Sequence, residues 1–285
     1  NQNNFIFTSE SVSEGHPDKV CDQISDVILD LYLKYDKNSR VACETLATTN
    51  TVIISGEVKS SSDKINKESI ENIIREKVKD IGYEQTGFDW QSMKIFNYLH
   101  EQSADISMGV DRVSDEEVLG AGDQGIMFGY ACSETSSLMP APIFYAHKIL
   151  EELSSYRKNN DSFFLPDSKS QVSMSYENGV PKKVESLVVS TQHCETASNS
   201  EIREKVIEII EKAIPSNILP HQDHILINPT GRFVIGGPDG DTGLTGRKII
   251  VDTYGGSAPH GGGAFSGKDY TKVDRSAAYM ARFVA

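Results

Sequence analysis

The sequence predicts an α+β fold, in which strands are grouped around helices in layers. Apolar residues recur at helical spacing in five segments, and short runs rich in β-branched residues lie between them. The order lacks the strict strand–helix alternation of a doubly wound sheet. Because 285 residues exceed one ordinary domain, we expect more than one compact unit.

The first third of the chain is predicted to hold two helices and a strand. Pro17 suits a first helical position, and apolar residues at helical spacing predict a helix over about 17–35. Residues 51–58 are predicted to form a strand. A second helical pattern over 65–78 is followed by Gly82, a residue typical of helix ends.

A polar stripe follows the other side of the first predicted helix. It contains Asp18, Asp22, Asp26 and Asp30. A stripe of this kind is usually a solvated face, so we expect the last three aspartates to face solvent.

The remaining elements are predicted from shorter patterns. Strands are expected at residues 126–131, 171–176, 185–191, 225–228 and 248–253. Helices are expected at residues 142–156, at 201–213 and from about Lys272. The last unit would then contain two strands and one helix, so we expect it to be incomplete.

Composition limits the possible function. The formal net charge of −13 argues against a nucleic-acid or anionic-membrane partner, because phosphate backbones are held mainly by clustered Lys and Arg. No apolar run approaches the ~20 residues that span a bilayer. Cys21, Cys43, Cys132 and Cys194 are dispersed without a CxxC pair, which argues against a zinc site or a disulfide framework. We expect reduced thiols and a cytoplasmic protein.

Two glycine motifs suggest nucleotide folds that their surroundings do not favour. The GxGxxG pattern at 120–125 precedes a predicted strand, whereas a dinucleotide-binding turn needs a helix there. The run 262–268 resembles a phosphate-binding P-loop, but Asp269 follows Lys268 where Ser or Thr should ligate Mg²⁺. An ATP hydrolase or kinase using this run is the alternative enzyme.

Three clusters have the chemistry of a polyanion site. In residues 15–19, His16 and Asp18 lie at a predicted helix N-terminus, which favours anions; the alternatives are a surface histidine and a first-turn acid. The glycine-rich runs 236–248 and 261–275 interleave carboxylates with cations. The cations of this zone are Arg247, Lys248, Lys268, Lys272 and Arg275. We expect it to bind a small polyanion.

Five segments resemble the methionine adenosyltransferase family. They are GHPDK at 15–19, GAGDQG at 120–125, NPTGRFVIGGP at 228–238, GLTGRKIIVDTYGG at 243–256 and GGGAFSGKD at 261–269. The similarity follows the family's order from about Thr8 to Ala285. It implies three similar α+β domains with pseudo-threefold symmetry, at residues 1–104, 118–234 and 235–285. The third would be incomplete, since the family's last quarter is missing.

The resemblance also implies the site residues. Catalytic roles are implied for His16, Lys169, Lys248, Lys268 and Asp241. ATP binding is implied for His16, Asp167, Ser168, Lys169, Arg232, Phe233, Asp241, Arg247, Lys248, Ala264 and Lys268. Methionine binding is implied for Glu57, Gln102, Asp123, Asp241 and Lys272. Asp18 and Asp274 would bind two Mg²⁺ ions per site, and Glu44 one K⁺.

The implied reaction joins L-methionine to ATP. The methionine sulfur would attack C5′ of ATP and displace triphosphate, which is then hydrolysed to phosphate and diphosphate. The family also implies a homodimer with shared active sites, paired into a tetramer. Where an Arg often precedes His260, this chain has Pro259. Because the family's last part is missing, an inactive binding subunit is the alternative that is not an enzyme.

Overall fold

The computed structural model describes residues 4–101, 123–159 and 162–285. Its helices are α1 (Pro17–Tyr35), α2 (Lys67–Ile81), α3 (Ala141–Asn159), α4 (Asn199–Ala213) and α5 (Val273–Val284). Its strands are β1 (Phe5–Val12), β2 (Arg40–Thr48), β3 (Thr51–Lys59), β4 (Glu84–Gln85), β5 (Phe88–Asp89), β6 (Lys94–Glu101), β7 (Phe164–Glu177), β8 (Val180–His193), β9 (Ile225–Ile227) and β10 (Gly243–Leu244).

The chain folds as two compact units. The first unit comprises residues 1–16, 130–237 and 250–258, and the second comprises residues 17–129, 238–249 and 259–285. Each unit therefore combines stretches that are distant in sequence. The predicted domain boundaries and the pseudo-threefold relation stay predictions.

A four-stranded sheet forms the first unit together with α3 and α4. Its order is β1-β7-β8-β9, with β1 and β8 antiparallel to β7 and β9 parallel to β8. Ile149 of α3, Ile209 of α4 and Leu187 of β8 belong to its buried core. The two helices thus bury their apolar faces with the sheet, as expected for a layered α+β unit.

The second unit is built on the sheet β10-β2-β3-β6. Strands β2 and β3 are antiparallel, and β3 and β6 are parallel. Ile24 and Ile28 of α1 join Ile54 of β3 and Ile74 of α2 in a fully buried core. Helix α2 begins at a capping box formed by Asn66 and Ser69, which satisfies free N–H groups of its first turn.

Most predicted elements are confirmed. All five predicted helices form, and α2 is capped by Gly82, whose positive φ of 103° favours glycine. The strands predicted at 51–58, 171–176, 185–191 and 225–228 correspond to β3, β7, β8 and β9. The mixed helix and sheet content confirms the α+β class.

Two predicted strands are wrong. Residues 248–253 form successive turns, in which the N–H of Gly255 donates to the carbonyl of Ile250 over 3.1 Å. Residues 126–131 form no ladder with any described strand. A strand forms only where a neighbouring strand offers its backbone N–H and C=O groups, and a local apolar pattern does not show whether such a neighbour exists.

Two further observations concern membrane-spanning helices and the state of the cysteines. None of the helices that the structure describes combines the length and hydropathy needed to cross a membrane. All four cysteines are free thiols. Burial raises the pKa of Cys43 to about 12, so this thiol resists ionisation at neutral pH.

Candidate functional site

Asp18 and Lys248 form an ion pair in the second unit. Lys248 Nζ donates to Asp18 Oδ2 over 2.7 Å, and the N–H of Leu244 donates to Asp18 Oδ1 over 3.0 Å. The Asp18 side chain is only 6% exposed. A buried carboxylate needs an opposing charge and donors for its lone pairs, and the 243–248 loop supplies both.

A second ion pair joins Lys268 to Asp274. Lys268 Nζ lies 2.7 Å from Asp274 Oδ2. The backbone on either side of Lys268 is attached to β2, because the N–H of Cys43 donates to Gly267 O over 3.0 Å and the N–H of Asp269 to Val41 O over 3.1 Å. Lys268 is therefore presented from an anchored loop rather than from a flexible linker.

Lys272 is engaged by a buried carboxylate. Its Nζ donates to Asp269 Oδ1 over 2.6 Å, and the N–H of Val41 donates to the same oxygen over 2.7 Å. Burial raises the pKa of Asp269, but hydrogen bonds from Lys272 and Thr271 outweigh it, so the pKa of Asp269 stays below its ordinary value. Lys272 is thus neutralised within its own loop.

The expectation of a solvated aspartate stripe is wrong for Asp22 and Asp26. Asp22 is 3% exposed, and its Oδ1 accepts the N–H of Gly246 over 2.9 Å. Asp26 is partly buried, and its Oδ1 accepts the N–H of Gly267 over 2.9 Å. Only Asp30 is exposed as expected. The glycine loops cover Asp22 and partly cover Asp26.

His16 lies in the first unit, in a loop held by Ser13. His16 is 3% exposed, and its N–H donates to the carbonyl of Ser13 over 3.1 Å. Ser13 Oγ donates to Pro166 O over 2.7 Å and accepts the N–H of Ser168 over 2.8 Å. The alternative of His16 as a surface residue is therefore wrong.

Glu14 fixes the same loop to α3. Its Oε1 accepts hydrogen bonds from Ser154 Oγ and Arg157 Nη2, each over 2.6 Å, and Lys158 Nζ is 3.4 Å away. Burial raises the pKa of Glu14, but these donors hold it below its ordinary value. The charged carboxylate therefore anchors the His16 loop.

The predicted ATP-binding residues of the first unit surround the end of β7. Asp167 is buried, and its Oδ2 accepts the N–H of Gly237 over 2.8 Å. Ser168 is fully buried and its Oγ lies 2.9 Å from Thr191 Oγ1. Lys169 is exposed. The Asp167 side chain thus holds the Gly237 backbone and that of Ser168 contacts the Thr191 side chain, whereas Lys169 remains accessible to an anion.

Arg232 and Phe233 lie in the segment that follows β9. The N–H of Phe233 donates to His193 Nε2 over 3.1 Å, and the N–H of His193 donates to the carbonyl of Phe233 over 3.0 Å. Arg232 is exposed and paired with Glu195. The two predicted adenosine-side residues are therefore adjacent to β8 within one unit.

The other predicted residues of the second unit are less constrained. Glu44, Asp123, Asp241 and Arg247 are exposed. Glu57 Oε1 lies 3.6 Å from His100 Nε2. An ideal Cβ on Gly246 would approach the Ala264 side chain to 2.5 Å, so Ala264 lies against the loop 243–248. This loop and the loop 261–268, which carries Lys268, are called the cation loops below. Gln102 lies outside the described residues.

Asp18 and Asp274 have the donor chemistry of the Mg²⁺ ligands that the family resemblance implies. Mg²⁺ bound to a polyphosphate usually takes one or two protein carboxylates, and Asp18 and Asp274 are carboxylates that already accept a cation at 2.7 Å. This donor chemistry fits. Among the described residues no group of three His, Cys, Asp or Glu side chains could hold an ion without substrate, and the K⁺ assignment of Glu44 rests on the resemblance alone.

Sequence reasoning missed the residues that hold the site in place. Ser13, Glu14, Asp22, Asp26 and Gln192 contact loop backbone or the helix beneath a loop; the Gln192 amide donates to Val234 O over 2.9 Å. The four-residue spacing of the aspartates on α1 was a visible signal, because it places them on one helix face. What faced them could not be read from the sequence.

The chain matches three sequence profiles of one family. They are the N-terminal, central and C-terminal domains of S-adenosylmethionine synthetase, at residues 4–104, 118–233 and 235–285. Together these segments leave only short gaps.

Curated bacterial proteins resemble the chain along its full length. An S-adenosylmethionine synthase of Rhodospirillum centenum is 60% identical over 285 residues, which cover all of this chain and 73% of that protein. Those of Zymomonas mobilis and Pelagibacter ubique are each 59% identical over 289 residues, covering all of this chain and 73% and 74% of theirs. The predicted resemblance is confirmed, and the chain belongs to the S-adenosylmethionine synthetase family.

Proposed function

We propose that this chain forms S-adenosylmethionine from ATP and L-methionine, as an ATP-dependent adenosyltransferase. The observation that supports this most directly is the pair of loops carrying Lys248 and Lys268, each cation opposite a carboxylate at 2.7 Å. Alternating ammonium and carboxylate groups suit a metal-bound polyphosphate, which presents both negative oxygens and cations. Relatives named S-adenosylmethionine synthase supply the substrate pair.

The proposed first step needs positioning rather than a general base. The neutral methionine sulfur forms a bond to C5′ of ATP, and the C5′–O bond breaks with its electron pair leaving on the triphosphate. No proton is transferred, so catalysis depends on alignment and on charge stabilisation of the leaving group. Lys169, Lys248, Lys268 and Arg247 are the cations assigned to the triphosphate, and Asp241 contacts both substrates.

His16 is assigned to the ribose end of ATP. Its buried position, next to the Ser13 contacts, gives it the fixed orientation that a donor to a developing charge requires. In the second step water attacks the triphosphate, and phosphate and diphosphate are released. That step uses the cation loops but not the ribose contact.

The remaining ligands are assigned by residue type. Asp167, Ser168, Arg232, Phe233 and Ala264 are proposed to contact ATP. Glu57, Gln102, Asp123 and Lys272 are proposed to contact methionine. Asp18 and Asp274 would hold two Mg²⁺ ions, which supply positive charge to the phosphate oxygens when bound, and Glu44 one K⁺. A cytoplasmic homodimer paired into a tetramer is proposed from the family resemblance.

Product analysis tests this function. The chain would be incubated with ATP, Mg²⁺, K⁺ and L-methionine, and the products separated by chromatography. S-adenosylmethionine with equal amounts of phosphate and diphosphate is the expected result. ADP or AMP without S-adenosylmethionine would contradict the proposal in favour of a nucleotide hydrolase or kinase, and binding without turnover would indicate a binding subunit.

A further inference from the structure

Three aspartates on one face of α1 bind the backbone of two glycine-rich loops. Asp18 Oδ1 accepts the N–H of Leu244 over 3.0 Å, and Asp22 Oδ1 accepts that of Gly246 over 2.9 Å. Asp26 Oδ1 accepts the N–H of Gly267 over 2.9 Å. Residues four apart on a helix are surface neighbours, so these carboxylates form a row along which both loops lie.

The two glycines immediately precede the cations of the proposed site. Gly246 is followed by Arg247 and Lys248, and Gly267 by Lys268. A hydrogen bond at each glycine therefore fixes the peptide from which the cationic side chains extend. Neither Asp22 nor Asp26 was assigned a role by residue type or by the family resemblance.

Both loops approach α1 and β2 closely. An ideal Cβ on Gly267 would lie 2.1 Å from Cys43 O and 2.9 Å from Ser25 Cβ, and Gly267 has a φ of +75°. Gly246 has a φ of +79°. Next to it, Thr245 Oγ1 lies 2.8 Å from Ser25 Oγ. Glycine is required where backbone comes this close with positive φ.

Charge makes these contacts strong. Hydrogen bonds to an ionised acceptor are roughly twice as strong as neutral ones. Arg275 Nη1 donates to Asp26 Oδ1 over 2.8 Å, and Lys19 Nζ lies 3.0 Å from Asp22 Oδ2. Each carboxylate thus has a cationic side chain beside it as well as the glycine N–H.

We propose that Asp22 and Asp26 are positioning residues that set the two cation loops for binding a polyphosphate chain. Asp22 acts through the Gly246 peptide on Arg247 and Lys248. Asp26 acts through the Gly267 peptide on Lys268, and through Arg275 on the first turn of α5. The identity of the polyanion rests on the proposed function; the attachment of the loops does not.

Alanine and asparagine variants separate positioning from packing. Asp22→Ala and Asp26→Ala remove the acceptor, whereas Asp22→Asn and Asp26→Asn retain an oxygen for the glycine N–H. Asp30→Ala is the matched control, since Asp30 belongs to the same stripe but is exposed. The probe is inorganic tripolyphosphate with Mg²⁺, titrated by calorimetry on the full chain, with folding checked by circular dichroism.

We expect each alanine variant to bind tripolyphosphate about tenfold more weakly, which corresponds to the loss of one charge-assisted hydrogen bond. The asparagine variants, which keep a neutral acceptor, should recover about half of this loss in binding free energy, and Asp30→Ala should match the wild type. In turnover assays the KM for ATP should rise more than kcat falls. Folded alanine variants with wild-type affinity would overturn the proposal.

Amide hydrogen exchange provides a measurement that needs no variant and no activity. In the wild-type chain without ligand, the N–H groups of Gly246 and Gly267 should exchange more slowly than that of the exposed Gly240. Equal rates would overturn the proposal even if the alanine variants failed to fold. A wild-type chain that forms no S-adenosylmethionine but shows this protection would contradict only the proposed function.

Discussion

Lys268 Nζ lies 2.7 Å from Asp274 Oδ2, so a cation proposed to bind triphosphate and a carboxylate proposed to bind Mg²⁺ neutralise each other. A bound polyanion would compete with Asp274 for Lys268. A metal ion bound to Asp274 would take the place of Lys268 and leave the lysine available to the polyanion. Binding of metal and of polyphosphate should therefore be coupled. The metal becomes the partner of Asp274, and the polyphosphate becomes the partner of Lys268.

This coupling predicts that Asp274→Asn changes the affinity for tripolyphosphate in opposite directions without and with Mg²⁺. In EDTA the variant should bind tripolyphosphate more tightly than the wild type, because Lys268 no longer has a charged competitor. With Mg²⁺ it should bind more weakly, because one proposed metal ligand is lost. Calorimetric titration under both conditions measures the effect, and a change of the same sign in both would contradict it.

The Asp18–Lys248 pair predicts non-additive stability changes. Lys248→Met leaves the buried Asp18 carboxylate without its cation, so unfolding should become easier by about 3–5 kcal/mol. Adding Asp18→Asn removes the uncompensated charge and should restore part of this loss. Urea denaturation of both single variants and the double variant measures the coupling free energy, and strictly additive effects would show that the pair is not coupled.

His16→Ala should separate the two chemical steps. Since the second step does not use the ribose contact, formation of S-adenosylmethionine should fall by roughly 10²–10³, as for loss of a donor to developing charge. Hydrolysis of added tripolyphosphate should change much less. Both rates would be measured on the same preparation, and equal losses would place His16 at the phosphates instead.

The contacts of Glu14 should make part of the free energy of unfolding sensitive to acid. Its pKa is below its ordinary value in the folded chain, although burial raises it, because Ser154 and Arg157 donate to the carboxylate. The unfolded chain therefore binds the proton first as pH falls. The stabilisation is fully present above the ordinary Glu pKa of about 4.3 and is lost as pH falls through the lower folded pKa.

Glu14→Gln should therefore melt at a lower temperature than the wild type at pH 7, with the difference shrinking below about pH 4. Melting curves between pH 7 and pH 3 measure this. Glu204→Gln, at an exposed position of α4, is the control and should follow the wild-type profile. A Glu14→Gln difference that stays constant down to pH 3 would refute the assignment.

The sequence predicted helices better than strands because helix formation depends on local spacing. Pro17, the apolar stripe and Gly82 defined α1 and the end of α2 without reference to other segments. Strands β1 and β6 were missed, since their partners are β7 and β3, which no local pattern specifies. The same dependence made 248–253 a false strand.

The candidate site was predictable by residue type but not by contact. Motif resemblance identified Asp18, Lys248, Lys268 and Asp274, yet no sequence feature indicated that they pair as cation and carboxylate. Asp22 was misjudged for the same reason. Its burial depends on Gly246, which lies more than 200 residues away in the chain.

The pairing of β1 with β7 has a consequence for folding during synthesis on the ribosome. Phe5 lies opposite Tyr176 and Val12 opposite Lys169, so the first strand has no partner until the end of β7 has been translated. At 5–20 residues per second this delay is roughly 10–30 s. Throughout that time Phe5, Ile6 and Phe7 lie in a nascent segment that has no strand to pair with. This segment is a suitable substrate for a chaperone that binds extended apolar peptides.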